Sequence, residues 1–387
     1  MAIPLSYNLR NLVVRKTTTV MTAAGIALTV AVLLAVLGLV SGLQSAFAAT
    51  GDPLRVLVMR KGGNAELTSL VTQQQFQIIK NFPGIAKGQD GQPLASLEVV
   101  TIVNMPSADR PDGTNITLRG LLPTGIQMRK LRLVSGRWFR PGQREIVVGK
   151  HLPEIYAAAH VGKQLKFGKG EWTIVGVMDG GSTATDSEIY ADGNQVSSDF
   201  NRPDTWSSAL LQATDEVTAD ALKKSLENDR RLNVTVMSER AYYDLQTISS
   251  RPIKFLGFFI CIIMAIGSCF ASMNTMYAAV ARRATEIGTL RILGFTRGSI
   301  LLSFFLESLM LSLIGGILAC LIVLPMNGVT SRMGNFITFS EVSFNVHIGL
   351  DIMAIGLLFA LLMGAIGGLL PARQAAKKEI LTALREV

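Results

Sequence analysis

Arg282, Arg283, Glu286 and Arg291 crowd into one short run, interleaved with Ile287, Leu290 and Leu293 at helical spacing. Cations beside an apolar stripe can hold lipid headgroups or dock a partner protein. Gly294 is placed to end this helix, and Thr296 to cap the next one. The sharper of the two readings is a docking element for a cytosolic partner. Glu307, a little further on, is the one ionisable residue well inside an apolar run, about 13 Å along a helix from Ser299. A carboxylate there marks a functional position by default. The expected role is to orient the preceding helix, with Arg297 or a neighbouring helix in reach, ahead of proton coupling.

Other candidate chemistry is thin. His151, His160 and His347 have no metal-ligand spacing, and Cys261, Cys269 and Cys320 all sit in apolar runs, where thiols are inert packing. Gly142 to Lys150, GQREIVVGK, misses the phosphate-loop spacing and is followed by His151. No HExxH or nucleophile elbow occurs. The carboxylates between residues 50 and 251 are scattered as on a solvated face. No catalytic, cofactor-binding or metal site is expected.

The elements that position these residues are membrane spans. Four apolar runs are long enough to cross about 30 Å of hydrocarbon: residues 20–49, 252–281, 299–329 and 352–372. Arg10, Arg15 and Lys16 precede the first; Arg282, Arg283, Arg291 and Arg297 lie between the second and third; Arg373, Lys377, Lys378 and Arg385 follow the fourth. Basic residues flanking spans stay inside. Residues 1–19, the connection 282–298 and the tail 373–387 are therefore expected in the cytoplasm, and the loop 330–351 outside. These segments hold most of the net charge of +9, so the basic excess is a topology signal and not a nucleic-acid surface. Ala46-Phe47-Ala48 has the form of a signal-peptidase site, but the apolar run before it is about twice a usual signal length. Gly38 with Gly42 and Gly364 with Gly368 form GxxxG pairs that permit close helix approach.

Residues 50–251 read as an α+β domain inserted between the first two spans. Strands are expected at 54–59, 97–103, 115–119, 145–149, 171–177, 208–213 and 232–236, and helices at 68–80 and 216–229. The pattern suggests small βαβ units in two subdomains, with 104–125 and 179–207 as long loops. Ser238 caps a helix leading toward Pro252, where the second span begins.

R-R-x-x-E-I-G-x-L-R-x-L-G at Arg282 to Gly294, the pair Glu307-Ser308, the ending P-A-R-x-A-A at Pro371 to Ala376 and L-x-x-G-R-x-F at Leu133 to Phe139 closely resemble the MacB/FtsX family of ABC transporter permeases. The order of one span, a large outer domain and three spans is similar over the whole chain. The resemblance implies a bacterial inner-membrane permease with cytoplasmic termini, acting as a homodimer with two cytosolic ATPase subunits that bind the ATP and magnesium. It assigns the ATPase coupling to Arg282–Gly294 and implies mechanotransmission: ATP-driven closure moves the outer domains and drives export or extraction of a lipoprotein, amphiphilic drug or peptide. A periplasmic adaptor and an outer-membrane channel are further partners it admits. Family members with a fused ATPase differ, because no Walker A sequence is present here. The alternative is an FtsX-like regulator of an envelope partner such as a cell-wall hydrolase.

Overall fold

The computed structural model describes residues 7, 10, 14, 16–181 and 183–377. The expected features at Arg15, Lys378 and Arg385 lie outside these residues.

In chain order, helix α1 (Lys16–Thr50) leads to strand β1 (Arg55–Arg60), β2 (Val71–Thr72), α2 (Gln73–Ile79), β3 (Ala95–Met105) and β4 (Thr114–Leu121). Then come α3 (Pro123–Arg129), β5 (Arg132–Gly136), β6 (Glu145–Gly149), α4 (His151–Ile155), β7 (Gln164–Phe167) and β8 (Gly170–Asp179). These are followed by β9 (Ile189–Asp192), α5 (Gly193–Asp199), β10 (Thr205–Trp206), β11 (Ser208–Gln212), α6 (Glu216–Asn228), β12 (Val234–Ser238) and α7 (Glu239–Gln246). The chain ends in α8 (Arg251–Arg282), α9 (Ala284–Ile292), α10 (Arg297–Val323), a hairpin of β13 (Thr330–Gly334) and β14 (Glu341–Asn345), and α11 (Leu350–Lys377).

Four of these helices are long and apolar enough to span a membrane, with windows at Thr19–Thr50, Arg251–Arg282, Arg297–Met326 and Leu350–Lys377. An α+β domain is inserted after the first, as the fold reading requires. The chain divides into a helical unit (Met1–Ser41, Pro252–Val329, Val346–Val387) and a second unit (Gly42–Arg251, Thr330–Asn345), and it passes between them four times.

Within the helical unit, α10 and α11 pack through small residues. Ser308 Oγ donates to the Gly364 carbonyl at 2.6 Å, and a Cβ on Gly368 would lie 2.3 Å from the Ser308 Cβ. The Gly364/Gly368 pair thus lets serine side chains, and not another glycine pair, approach the helix backbone. Gly38 faces Ile348 in the same way, and Gly42 is buried in the second unit.

The second unit is built on one ten-stranded mixed sheet ordered β12-β1-β11-β3-β4-β9-β6-β8-β5, with β7 beside β8. Only β4–β9 and β6–β8 pair in parallel, so the expected βαβ units and two subdomains give way to a single, mostly antiparallel sheet. The two long loops are corrected as well. Residues 179–207 carry β9, α5 and β10, and Ile189, Tyr190 and Ala191 are fully buried. Within 104–125, β3 and β4 leave only 106–113 between strands. Strands as short as β9 and β10 carry too few residues for an alternation to show, so only their pairing partners reveal them. The hairpin β13–β14, expected as a plain loop, belongs to this unit.

Odd-numbered residues of β3 (Leu97, Val99, Val103, Met105) join Ile116 and Leu118 of β4 in the main apolar core. The opposite face carries Ser96, Glu98, Thr117 and Arg119, also buried. Period-two alternation therefore separates an apolar face from a more polar one, and both are buried around Glu98 and Arg119.

Replacing Gly368 with Leu should force α10 and α11 apart and cost about 1–3 kcal/mol. A lowered thermal midpoint of the detergent-solubilised protein is expected, whereas Gly267→Ala, at a position open within 4 Å, should leave the midpoint unchanged. Equal behaviour of the two variants would refute the packing assignment.

Candidate functional site

Two groups of buried charge stand out, one in each unit. In the helical unit, Arg283 fills the break between α8 and α9, only 3% exposed. Its Nη1 donates to Glu307 Oε2 and its Nε to Glu286 Oε2, each at 3.0 Å. The guanidinium also lies over the Phe304 ring, 4.9 Å from the centroid, and over Tyr7 at 5.2 Å. Tyr7 Oη donates to Glu286 Oε2 at 3.0 Å. The neighbour that reaches Glu307 is thus Arg283 and not Arg297. Burial alone would pull the Arg283 pKa down, but Glu307, Tyr7 and Glu286 together offset this and raise it. The pair is an ionic link between the start of α9 and α10.

Ile287 is turned inward with Met276, Val280, Ile300 and Phe304, so the short helix is keyed to the spans by its own apolar face. Arg282 and Glu286 are exposed and Leu290 is half-buried. The exposed apolar residues are Ile292 and Leu293, at 61% and 64%, beside Gly294 whose φ of +92° ends the helix. Arg291 is half-buried just before them. Thr296 caps α10, accepting from the Ser299 amide at 3.2 Å. Ile292 was missed from sequence because it lies off the Ile287–Leu290 stripe, and that stripe is spent on the protein's own core.

The second group, in the inserted domain, was not anticipated. Glu66, Glu98, Glu188 and Glu239 are buried among Arg55, Arg119 and Arg129, correcting the expectation that these carboxylates lie on a solvated face. Pairing explains the burial: each carboxylate that left water found a guanidinium. Arg119, on β4, donates Nη1 to Glu98 Oε2 at 2.7 Å and Nε to Glu188 Oε2 at 2.9 Å, and pairs with Glu66 at 3.0 Å. Glu98 and Arg119 are diagonal neighbours on one face of β3–β4, because Glu98 registers with Leu121 and Val100 with Arg119. Arg129, at the end of α3, grips Glu98 with Nε at 2.9 Å and Nη2 at 2.7 Å, and donates Nη1 to Glu239 Oε1 at 3.0 Å. Glu239 starts α7; its Oε2 accepts from the Asp52 amide at 3.2 Å and lies 2.7 Å from Arg55 Nε, off the N–H axis, as an ion pair. Arg55 Nη2 donates to the carbonyl of Thr50, the last residue of α1, at 3.3 Å. The Thr50 hydroxyl accepts from the Ala184 amide at 2.9 Å.

One chain of charges therefore runs from the end of α1 through the sheet to the start of α7. Burial alone would raise the Glu98 carboxyl, but Arg129 and Arg119 hold it below the ordinary carboxylate value. Burial raises Glu239 and outweighs Arg129 and Arg55. The same loss of water pushes the Tyr190 and Tyr242 hydroxyls well up. Four carboxylates share three guanidiniums, and Glu239 holds its proton more readily than Glu98 does.

The hairpin adds a third attachment to this domain. Thr117 and Ser340 hydroxyls lie 2.8 Å apart, Arg110 Nη1 donates to Glu341 Oε2 at 2.6 Å, and Asn335 Nδ2 donates to Gln246 Oε1 of α7 at 2.7 Å. The Ser343 amide donates to Ser187 Oγ at 2.8 Å. His151 is buried on α4 and burial lowers its pKa; His160 is exposed, and the described residues include no group of three or more His, Cys, Asp or Glu arranged to hold a metal.

The Glu98 contribution has a definite sign. Its folded pKa is depressed below 4.5, so its stabilisation is present above that value and is lost as pH falls through the folded pKa. Glu98→Gln should therefore cost about 3–5 kcal/mol near neutrality by leaving Arg129 and Arg119 short of a carboxylate. It should also flatten the acid limb of stability against pH. Urea midpoints at several pH values measure both, and an unchanged acid limb would remove Glu98 from the network's pH response.

Residues 19–229 match the family described as MacB-like periplasmic core domain, and residues 257–380 match the FtsX-like permease C-terminal family. An uncharacterized ABC transporter permease YknZ of Bacillus subtilis (strain 168) is 29% identical over 340 residues, 83% of this chain and 81% of that protein. The macrolide export ATP-binding/permease protein MacB of Pasteurella multocida (strain Pm70) is 26% identical over 291 residues, 70% of this chain but 43% of that protein. This chain thus spans less than half the length of that ATP-binding relative. The solved extracellular domain of YknZ from Gram-positive bacteria, 17% identical, covers 48% of this chain and all of its own with a TM-score of 0.36. With four membrane-spanning helices, a mixed α/β domain after the first and both family matches in order, the chain belongs to the MacB/FtsX family of ABC transporter permeases.

Proposed function

We propose that this permease carries force from a separate cytosolic ATPase to its inserted domain outside the membrane, driving export or extraction of an amphiphilic substrate such as a drug, lipoprotein or peptide. The observation that carries this reading is the pair of buried ionic groups, one in each unit. Arg283–Glu307 locks α9 to α10, so a push on the short helix moves that span as well. In the inserted domain, Arg55 and Glu239 tie the end of α1 and the start of α7 into one buried network, while the hairpin between α10 and α11 is bonded to the same domain. Directional hydrogen bonds to charged groups resist sliding better than apolar contact, which has no preferred direction.

In this reading α9 faces the cytosol, both termini lie on that side, and the ATPase seats on the exposed end of α9 at Ile292 and Leu293, with Arg282, Glu286 and Arg291 around it. ATP and magnesium belong to the ATPase subunit. A second copy of the permease completes a homodimer, and a periplasmic adaptor with an outer-membrane channel would receive the substrate. The substrate class follows the relatives named for macrolide export.

Changing Ile292 and Leu293 together to Asp should lower co-purification of the ATPase at least tenfold while leaving membrane insertion intact, since hot-spot apolar contacts of this kind are worth about 2 kcal/mol or more. Undiminished co-purification would remove the docking role from this tip. Glu307→Gln separates orientation from proton transfer: retained pH dependence of ATPase activity and transport is expected, with weakened coupling between them. Loss of the pH dependence in an assembled complex would assign Glu307 to proton coupling.

A further inference from the structure

A small cavity lies where three connections of the inserted domain converge. Phe47 near the end of α1, Tyr242, Tyr243 and Gln246 of α7, and Ser340 and Glu341 of the hairpin line it, with about 20 Å³ of room for the centre of a water molecule. Two polar atoms of these residues have no hydrogen-bond partner in the protein: the Tyr243 hydroxyl and Glu341 Oε1. Both residues are deeply buried, at 2% and 4% exposure. Arg332 Nη1 stands 3.7 Å from Glu341 Oε1, beyond hydrogen-bond reach, and Arg110 occupies the other oxygen. The Tyr243 ring is stacked on Phe47, with centroids 6.3 Å apart.

We propose that this cavity binds an ordered water molecule that completes the hydrogen bonding of Glu341 and Tyr243 and so forms a hydrated joint between the end of α1, α7 and the hairpin. Three physical arguments support water as the occupant. A buried polar atom without a partner costs about 1–3 kcal/mol, and natural folds fill such sites with water. The room exceeds the roughly 10–15 Å³ that one water needs and falls short of any larger ligand. Each carboxylate at the cavity already has its guanidinium: Glu341 has Arg110, and Glu66 and Glu188 share Arg119. A neutral occupant therefore fits better than a cation. Water also suits a joint that moves, because it can exchange partners as the connections shift, whereas close apolar packing has one arrangement.

Tyr243→Phe tests the proposal by sign. If the hydroxyl bonds to water, its removal loses about 1 kcal/mol, and the thermal midpoint of the full-length protein falls by about 2–4 °C. If the hydroxyl is unbonded, the phenyl ring relieves a penalty, and an unchanged or raised midpoint overturns the proposal. A cryo-electron-microscopy map of the full chain that resolves buried waters elsewhere provides the second measurement. A peak within hydrogen-bond distance of Glu341 Oε1 or Tyr243 Oη supports the water, and a featureless cavity overturns it. Replacing sodium with potassium or a bulky organic cation should leave the midpoint unchanged; dependence on cation identity would assign the site to a metal ion and overturn the proposal.

Discussion

The bidentate grip of Arg129 on Glu98 is the constraint on which the inserted domain depends. Glu98 is fully buried in β3, an interior strand of the sheet, and a lone carboxylate there would be protonated or would unfold its surroundings. Arg129 and Arg119 make it tolerable as an anion, and each then needs its remaining N–H groups satisfied. Arg129 turns to Glu239, and Arg119 to Glu66 and Glu188. Those carboxylates draw in Arg55, Tyr190 and Ser208, the last donating to Glu66 Oε1 at 2.6 Å, while the Glu66 amide donates to the Tyr242 hydroxyl. One buried charge thereby dictates the position of α3, the turn at Glu66, the start of α7 and the end of α1.

Such a network contributes little net stability, because the desolvation of seven charged groups offsets most of the attraction among them. Its contribution is positional. An apolar contact tolerates sliding by part of a residue, whereas a planar guanidinium facing a carboxylate in two parallel bonds fixes distance and direction together. The asymmetry between making and breaking such pairs also matters. With all partners present the cost is near zero, and with one withdrawn it is several kcal/mol. An element held in this way stays docked or comes away as a unit.

Sequence periodicity made the fold class legible and much of the site illegible, for definable reasons. The four spans declare themselves because a bilayer demands about 20 apolar residues without help from any other part of the chain. The strand at 145–149 is found to the residue, since EIVVG is β-rich and bounded by turns. In contrast, β9 with sequence IYAD and β13 with sequence TSRMG are short and carry no alternation, so only their partners identify them as strands. The charge network is the clearest case. Glu98 lies in LEVVTIV as the single charged residue of a strand, which reads as one solvent-facing position. Only the three-dimensional convergence of α3, α7 and the Glu66 turn shows that this face is covered. At α9 the sequence identified the segment, and the structure redistributed its parts: Ile287 and Arg283 serve the protein's own packing, and Ile292 and Leu293 are left exposed.

The two ionic groups differ in a way that follows from their surroundings. Arg283 and Glu307 form a pair with one exposed extension, Glu286, so the link at the spans is compact and keeps contact with the solvent-facing end of α9. The network in the inserted domain is extended, reaches three separate points of attachment and carries one carboxylate more than its guanidiniums. Burial raises the Glu239 pKa while two arginines depress that of Glu98, so the excess charge is resolved at the attachment point and not at the centre. The centre, clamped by two guanidiniums, accepts a proton less readily than Glu239 does. The start of α7, where Glu239 sits, can take one and still keep its bond from the Asp52 amide. Rigidity is therefore concentrated at β3–β4, and any adjustment of charge falls on the helix that leads into α8.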